Sequence, residues 1–198
     1  SPPRTEIEYL SAIYYCRARQ FANIIGPMSV VVTESVGGLV SYNPATGAEV
    51  GRVPVHSPDD VRAAVERSRA VFHKWKTTSF AERKRLIMSA REVILSDIDG
   101  IAKLISAESG KPFGEAIAME IAPVLDLMQW IARKAERMLR PARIDIGLYR
   151  LLGRSSKIVY HPLGVIGIIP AWNYPFSIPL GEAVMAVMAG NSVVLKPS

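Results

Sequence analysis

An asparagine in a proline-bounded turn and a lysine after an apolar run are the residues best suited to chemistry in this sequence. Asn173 lies between Trp172 and Tyr174-Pro175, and its side-chain amide offers two N–H donors that could hold a negatively charged oxygen. Asparagine in such a turn also often satisfies local backbone groups, and this alternative stays open on the residues alone. Lys196 could bind ligand hydroxyls or phosphate, although an isolated lysine at a strand end is more often plain surface.

Both residues belong to a predicted β-α-β unit that extends from Gly164 to Ser198. The run from Val165 to Ile169 is continuous and rich in β-branched residues, which is typical of a parallel strand buried on both faces. Several prolines leave a stiff connection, and an almost wholly apolar helix is predicted from about Leu180 to Ala189. A Gly-Asn pair ends this helix, and Ser192 to Leu195 forms the second strand. Lys196 is thereby predicted at the carboxyl end of a strand, where open α/β sheets bind ligands.

Two motifs in this unit carry a resemblance to a known family. Trp172-Asn173-Tyr174-Pro175 is followed by the run GNSVVLKPS at 190–198, in the order and at the spacing found in the aldehyde dehydrogenase superfamily. The segments Glu108-Ser109-Gly110-Lys111-Pro112 and Asn43-Pro44-Ala45-Thr46-Gly47 are similar to the amino-terminal region of that family. The resemblance implies oxidation of a small-molecule aldehyde with NAD or NADP through a cysteine thiohemiacetal. Members are far longer than 198 residues, so the chain is interpreted as an amino-terminal portion of such an enzyme.

The resemblance also implies roles for individual residues. The Asn173 amide would form the oxyanion hole together with the backbone N–H of the nucleophile. Lys196 would hydrogen-bond the adenosine ribose hydroxyls. The implied cofactor-binding residues are Ile169, Pro170, Ala171, Trp172, Lys196 and Ser198. The residues weakly implied to contact substrate are Leu127, Met128, Tyr174 and Ile178. Pro170-Ala171 departs from the Ile-Pro or Gly-Thr pairs of many members, and the Asn position is unaffected.

The other catalytic groups that the reaction requires are not found among these residues. The sequence holds one cysteine, Cys16, whose surroundings resemble nothing around the family nucleophile, and we interpret it as a buried or half-buried helix thiol. We expect the nucleophilic cysteine and the general-base glutamate outside the chain. No Gly-x-Gly-x-x-Gly follows the first strand, which disfavours an ordinary Rossmann dehydrogenase. Two alternatives stay open: an acyl-phosphate or acyl-CoA relative within the superfamily, and a truncated, non-catalytic nucleotide-binding or assembly module.

The fold class predicted is α/β, the amino-terminal part of an aldehyde-dehydrogenase-like parallel-sheet cofactor domain with an oligomerisation hairpin. Short strands are predicted at Val30 to Thr33, Leu39 to Tyr42 and Glu49 to Val55. The predicted divisions are an uncertain segment at 1–28, the first part of the cofactor domain at 29–141, the hairpin at 142–161 and the β-α-β core at 162–198.

A helical region is predicted between these strands and the hairpin. Ser57 is a predicted N-cap, and Ser79 with Glu82 forms a predicted capping box. A long helix is expected from about Phe113 to Leu139, and Pro123 should kink it or divide it in two.

The hairpin is predicted from Arg143 to Ile146 and Ser156 to Tyr160, where apolar and polar residues alternate. By resemblance this segment pairs with a neighbouring subunit, so we expect a homodimer or homotetramer. A self-contained hairpin packed on its own domain is the alternative.

Composition favours a globular protein without a nucleic-acid or membrane partner. Hydrophobic residues make up 49% of the chain and the formal net charge is +6. The basic residues are spread along amphipathic helices and form no recognisable nucleic-acid motif. No run of about 18 apolar residues is free of charge and proline, and no signal-peptide pattern opens the sequence, so we expect a cytoplasmic protein.

Overall fold

The computed structural model of the chain describes residues 38–198. The predictions for segment 1–28, for Cys16 and for the strand Val30 to Thr33 lie outside the described residues. The strands are β1 (Gly38–Tyr42), β2 (Glu49–Pro54), β3 (Ala142–Ile144), β4 (Ser156–Ile158), β5 (Val165–Ile168) and β6 (Ser192–Leu195). The helices are α1 (Pro58–Trp75), α2 (Phe80–Leu95), α3 (Ile98–Ser109), α4 (Phe113–Ala116), α5 (Ala122–Leu139) and α6 (Ser177–Met188).

The strands pair in sequence-adjacent couples. β1 pairs with β2 and β3 with β4, both antiparallel, while β5 and β6 are parallel, with Val165 opposite Ser192 and Ile168 opposite Leu195. Helix α6 connects β5 to β6, so the predicted β-α-β unit is confirmed. Both α1 and α6 pack against these two strands.

The prediction that the first strand of this unit is buried on both faces is wrong for most of its residues. In β5 only Ile168 is buried, while Val165 and Ile166 are half-buried and Gly167 is exposed. Within residues 38–198 β5 has a strand neighbour on one side alone, so its other edge is uncovered. A continuous apolar run predicts burial within a complete sheet. That burial requires neighbouring strands on both sides, and these strands come from other parts of the sequence.

The predicted helix caps are present at α1 and α2. Ser57 and Asp60 cap α1 reciprocally, with Pro58 at the first helical position. At α2 the Ser79 backbone N–H donates to Glu82 Oε2 at 2.8 Å, and the Glu82 N–H donates to Ser79 Oγ at 3.2 Å. These bonds satisfy backbone donors that have no acceptor within the helix, which fixes where each helix begins.

The long helix predicted over 113–139 is divided just before Pro123. A π-helical turn, Ile117–Ile121, separates α4 from α5, and the Ala122 N–H bonds to the Ile117 carbonyl five residues back. Proline lacks the N–H for a regular helical bond and clashes with the preceding turn. The break therefore occurs next to Pro123, as the sequence predicts. The π turn contains Glu120, a fully buried carboxylate.

The helix after the proline-rich connection begins earlier than predicted. It starts at Ser177, whereas the sequence predicts a start near Leu180. Pro179 therefore lies in the first turn, where a backbone N–H would have no helical acceptor in any case.

The main core lies where α2, α5 and α6 meet and extends to the β5–β6 pair. Its largest fully buried apolar side chains are Ile87, Ile94, Ile121, Met128, Val187, Met188 and Val193. None of the helices among residues 38–198 combines the length and the apolar character needed to cross a membrane.

The capping box of α2 gives a pH-dependent contribution to stability. Hydrogen bonds from the Ser79 backbone and hydroxyl hold the pKa of Glu82 below its ordinary value. Its ionised form therefore stabilises the fold above the unfolded-state pKa of about 4.3, and this contribution is lost as pH falls through the lower folded-state pKa. We expect Glu82→Gln to lower the melting temperature at pH 7, and the difference from the parent protein to shrink towards acid pH. Glu136→Gln, at an exposed position of α5, is the control, and an undiminished deficit in acid would contradict this assignment.

Candidate functional site

The predicted cofactor residues lie at the carboxyl ends of β5 and β6. The Lys196 N–H donates to the Ile168 carbonyl at 2.9 Å, which extends the parallel pairing just past both strands. Ile169 and Trp172 follow β5 and are 80% and 79% exposed. Exposed apolar surface of this size at the end of a parallel strand is suited to a flat ligand.

A groove of about 590 Å³ lies between α1 and the β5–β6 edge. It brings together two predicted cofactor residues, Ile169 and Lys196, with the basic side chain of Arg69 on α1. Its other lining residues are Val61, Val65, Phe72, His73, Leu163, Gly164, Val165, Gly167, Ile168 and Val194. The predicted residues Pro170, Ala171, Trp172 and Ser198 do not line it.

Asn173 lies in the exposed loop between β5 and α6. Its backbone carbonyl accepts a hydrogen bond from Lys111 Nζ at 2.5 Å. Its side-chain amide has no hydrogen-bond partner within residues 38–198, so the alternative in which the amide satisfies turn backbone has no bond to support it there. Both N–H donors of the amide are available to a ligand.

Lys111 joins this loop to the end of the α3–α4 connection. Its ammonium group forms an ion pair with Glu120, donates to the Asn173 carbonyl and lies 4.0 Å from the centre of the Tyr174 ring. Only 14% of the Lys111 side chain is exposed. A largely buried ammonium over an aromatic face gains cation–π attraction in addition to its hydrogen bonds.

Glu120 holds the other side of the same loop. Its Oε2 accepts from the backbone N–H of Phe176 at 2.9 Å and from that of Ser177 at 3.3 Å, at the start of α6. A carboxylate at a helix amino terminus satisfies free N–H groups and interacts favourably with the helix dipole. None of the sequence motifs includes Glu120, although it is the one charged residue in the apolar stretch 117–125.

The opposite end of α6 is held by a buried guanidinium. Arg83 on α2 donates to the Met188 carbonyl at 3.1 Å and to the Lys76 carbonyl at 3.1 Å. Trp75 Nε1 donates to the Val187 carbonyl at 2.9 Å. Burial lowers the pKa of Arg83 from its ordinary value. The bonds to Met188 and Val187 satisfy carbonyl groups at the carboxyl end of α6, where positive charge is favoured.

The Gly190-Asn191 pair ties α6 to the start of β5. Asn191 Oδ1 accepts from the Gly164 N–H at 3.0 Å, and its Nδ2 donates to the Ala186 carbonyl at 3.2 Å. Gly190 has φ +92°, and a Cβ there would lie 2.9 Å from the Arg83 guanidinium. The structure thus explains why glycine and asparagine occupy these two positions.

Comparison with known proteins identifies the family of this chain. The sequence profile of the aldehyde dehydrogenase family matches residues 31–198. The chain belongs to the aldehyde dehydrogenase family. The resemblance carried by the two motifs of the β-α-β unit is thereby confirmed, and so is the α/β fold class.

Individual relatives match most of the chain. A 4,4'-diapolycopene aldehyde oxidase from Methylomonas sp. is 30% identical, and the match covers 81% of this chain and 30% of that protein. A putative succinate-semialdehyde dehydrogenase [NADP(+)] from Mycolicibacterium smegmatis is 35% identical, with 77% and 29% covered. The crystal structure of a Mycobacterium tuberculosis aldehyde dehydrogenase complexed with NAD+ superposes with a TM-score of 0.76 at 30% identity, covering 85% of this chain and 34% of that one. The chain thus spans about 30% of the length of these curated relatives.

The candidate substrate residues of this aldehyde dehydrogenase chain differ in burial. Met128 is fully buried in the core, whereas Leu127, Tyr174 and Ile178 are half-buried. Leu127 packs against α6, where its Cδ2 would lie 3.1 Å from a Cβ at Gly181. Three of the four residues therefore retain some accessible surface.

Glu120 gives the sharpest stability test of the site. We expect Glu120→Ala to reduce the free energy of unfolding by about 3 to 5 kcal/mol, because Lys111 loses its ion-pair partner and two backbone N–H groups lose their acceptor. Urea denaturation measures this, with Glu115→Ala at a neighbouring exposed position as the matched control. Equal losses for the two variants would show that the buried contacts contribute nothing.

Proposed function

We propose that the whole protein oxidises a small-molecule aldehyde to a carboxylic acid with NAD or NADP, through a cysteine thiohemiacetal. The observation that carries this proposal is the free amide of Asn173, on a loop whose backbone is fixed by Lys111 and which begins at the carboxyl end of β5. Membership of the aldehyde dehydrogenase family supports the reaction class.

Asn173 is assigned the role of oxyanion donor. When a thiolate attacks the aldehyde carbon, the carbonyl electron pair moves to oxygen, and the resulting negative charge needs donors already in place. The Asn173 amide can donate to this oxygen without breaking a hydrogen bond made by its side chain. A preorganised donor of this kind favours the transition state over the bound aldehyde.

We assign the groove between α1 and the β5–β6 edge to the binding of a nicotinamide dinucleotide. Lys196 carries three N–H donors and has no ion-pair partner within the described part of the chain, so it can hydrogen-bond ribose hydroxyls. Ile169 offers exposed apolar surface, and Arg69, whose guanidinium also forms an exposed ion pair with Glu66, contributes a basic group to the groove. NAD or NADP, when bound, accepts the hydride; the residues named here hold and orient it.

The nucleophile and the general base are proposed to belong to other parts of the whole protein. The 198 residues contain a single cysteine, Cys16, in a segment unlike the family nucleophile. The matched relatives are about three times as long as the aligned region. We place the catalytic cysteine and glutamate in the portion that corresponds to this additional length.

We further propose that the β3–β4 hairpin assembles a homodimer or homotetramer. All three residues of β3 are exposed, and the connection between the strands carries Leu148, Leu151 and Leu152 at 80%, 83% and 74% exposure. Apolar side chains concentrated in this way are typical of a surface that another chain covers. The hairpin pairs Ala142 with Ile158, and β4 has β3 as its strand neighbour within residues 38–198.

The proposed reaction predicts a severe effect at Asn173. The whole protein should reduce NAD or NADP in an aldehyde-dependent manner, and Asn173→Ala should lower kcat by roughly 100-fold to 1,000-fold because one oxyanion donor is lost. Lys196→Met is the contrasting variant, since it should raise the KM for the cofactor and leave kcat close to the parent value. Absence of aldehyde-dependent reduction, or an Asn173→Ala variant with the parent kcat, would contradict the proposal.

The proposed assembly predicts a change of molar mass. Leu148→Asp and Leu151→Asp should shift the protein to a smaller species in light scattering coupled to size-exclusion chromatography, because a charge at the covered surface is unfavourable. Leu39→Asp, at another exposed leucine, should leave the molar mass unchanged. A monomeric parent protein would contradict assembly.

A further inference from the structure

We propose that the Lys111–Glu120 ion pair is a positioning pair that holds Asn173 in the geometry required for oxyanion binding. The inference rests on the proposed function, because it assigns the pair a role that is exerted through Asn173. Neither residue contacts the reacting atoms in this assignment.

The contacts of Lys111 fix the start of the loop. Its ammonium group has three N–H donors, and it contacts the Glu120 carboxylate, the Asn173 carbonyl and the Tyr174 ring. The Asn173 backbone therefore cannot shift without losing a charge-assisted hydrogen bond in a poorly hydrated site. The side-chain amide of the same residue is left unbonded.

The contacts of Glu120 fix the end of the loop. Its Oε2 binds the N–H groups of Phe176 and Ser177, while its Oε1 binds Lys111. Pro175 lies between the two anchored ends and restricts the intervening backbone. One buried ion pair thereby determines the position of residues 173–177 from both sides.

The pair also differs from a simple anchor of α6. An anchor at the helix start needs only an acceptor for the Phe176 and Ser177 N–H groups, and a neutral polar residue could supply one. The additional bond from Lys111 to the Asn173 carbonyl lies outside the helix and contributes nothing to the helix start. Its consequence is a fixed backbone position for Asn173, from which the side-chain amide extends.

Arg83 provides a matched control, because it is also buried, also charged and also bonded to α6. It binds the carboxyl end of the helix and makes none of its hydrogen bonds to residues 172–177. Arg83→Lys should lower the melting temperature, since a single ammonium group cannot replace a guanidinium that contacts several carbonyls. It should leave kcat within about twofold of the parent value, because the Asn173 loop is untouched.

The test compares kcat and melting temperature across Lys111→Met, Glu120→Gln and the double variant. Lys111→Met should lower kcat by about 10-fold to 100-fold with the KM for the cofactor unchanged, as a misplacement of about 1 Å can cost 100-fold. The double variant should recover part of the melting temperature, because neither charge is left unpaired, while kcat stays low. Recovery of kcat together with the melting temperature would overturn the inference.

A second measurement asks whether the effect passes through Asn173. In an Asn173→Ala background, Lys111→Met should produce no further loss of kcat, because residues that act as a unit are not additive. A full additional loss would show that Lys111 acts by another route and would overturn the inference.

The inference can be decided separately from the proposed function. If the parent protein shows no aldehyde-dependent reduction, the proposed function fails, and amide hydrogen exchange of residues 173–177 then decides the positioning role. Lys111→Met should increase exchange in this loop relative to the parent and to Arg83→Lys. Equal protection in Lys111→Met and the parent would overturn the inference.

Discussion

Helix α6 has a buried carboxylate at its amino terminus and a buried guanidinium at its carboxyl terminus, which matches the direction of the helix dipole. Glu120 accepts from the Phe176 N–H, and Arg83 donates to the Met188 carbonyl. Helix α6 connects β5 to β6, and its amino terminus follows directly on the loop that carries Asn173. The Asn173 loop therefore depends on Glu120, a charge from outside the β-α-β unit, whereas Arg83 stabilises the opposite end of the helix.

Each of these charges is tolerable in the interior because it makes several hydrogen bonds. An unpaired carboxylate or guanidinium in the interior would cost several kcal/mol in desolvation. Glu120 has Lys111 and two backbone donors, and Arg83 has carbonyl groups at the ends of two helices together with the Thr78 hydroxyl. The same bonds that offset burial also join α2 and the π turn to α6. Stability and the geometry of the Asn173 loop are in this way coupled.

Features of the fold that depend on neighbouring residues could be predicted from the sequence. Features that depend on contacts between distant residues could not. The capping box at Ser79 and the break before Pro123 follow from interactions within a few residues, and both were placed correctly. The role of Glu120 was missed because its partners in α6 lie 56 and 57 positions away and its inward direction depends on the π turn. Burial of β5 was overestimated because it depends on strand neighbours outside the unit. The family motif located Asn173, whereas the free state of its amide could only be read from the structure.

A crystal structure of the whole protein with an aldehyde-derived thiohemiacetal adduct would test the role of Asn173 most directly. The adduct oxygen is expected to lie about 3 Å from Asn173 Nδ2, the distance typical of an oxyanion donor, with Lys111 Nζ still bonded to the Asn173 carbonyl. An Asn173 amide turned away from the adduct and bonded to its own loop would contradict the assignment of this residue as the oxyanion donor.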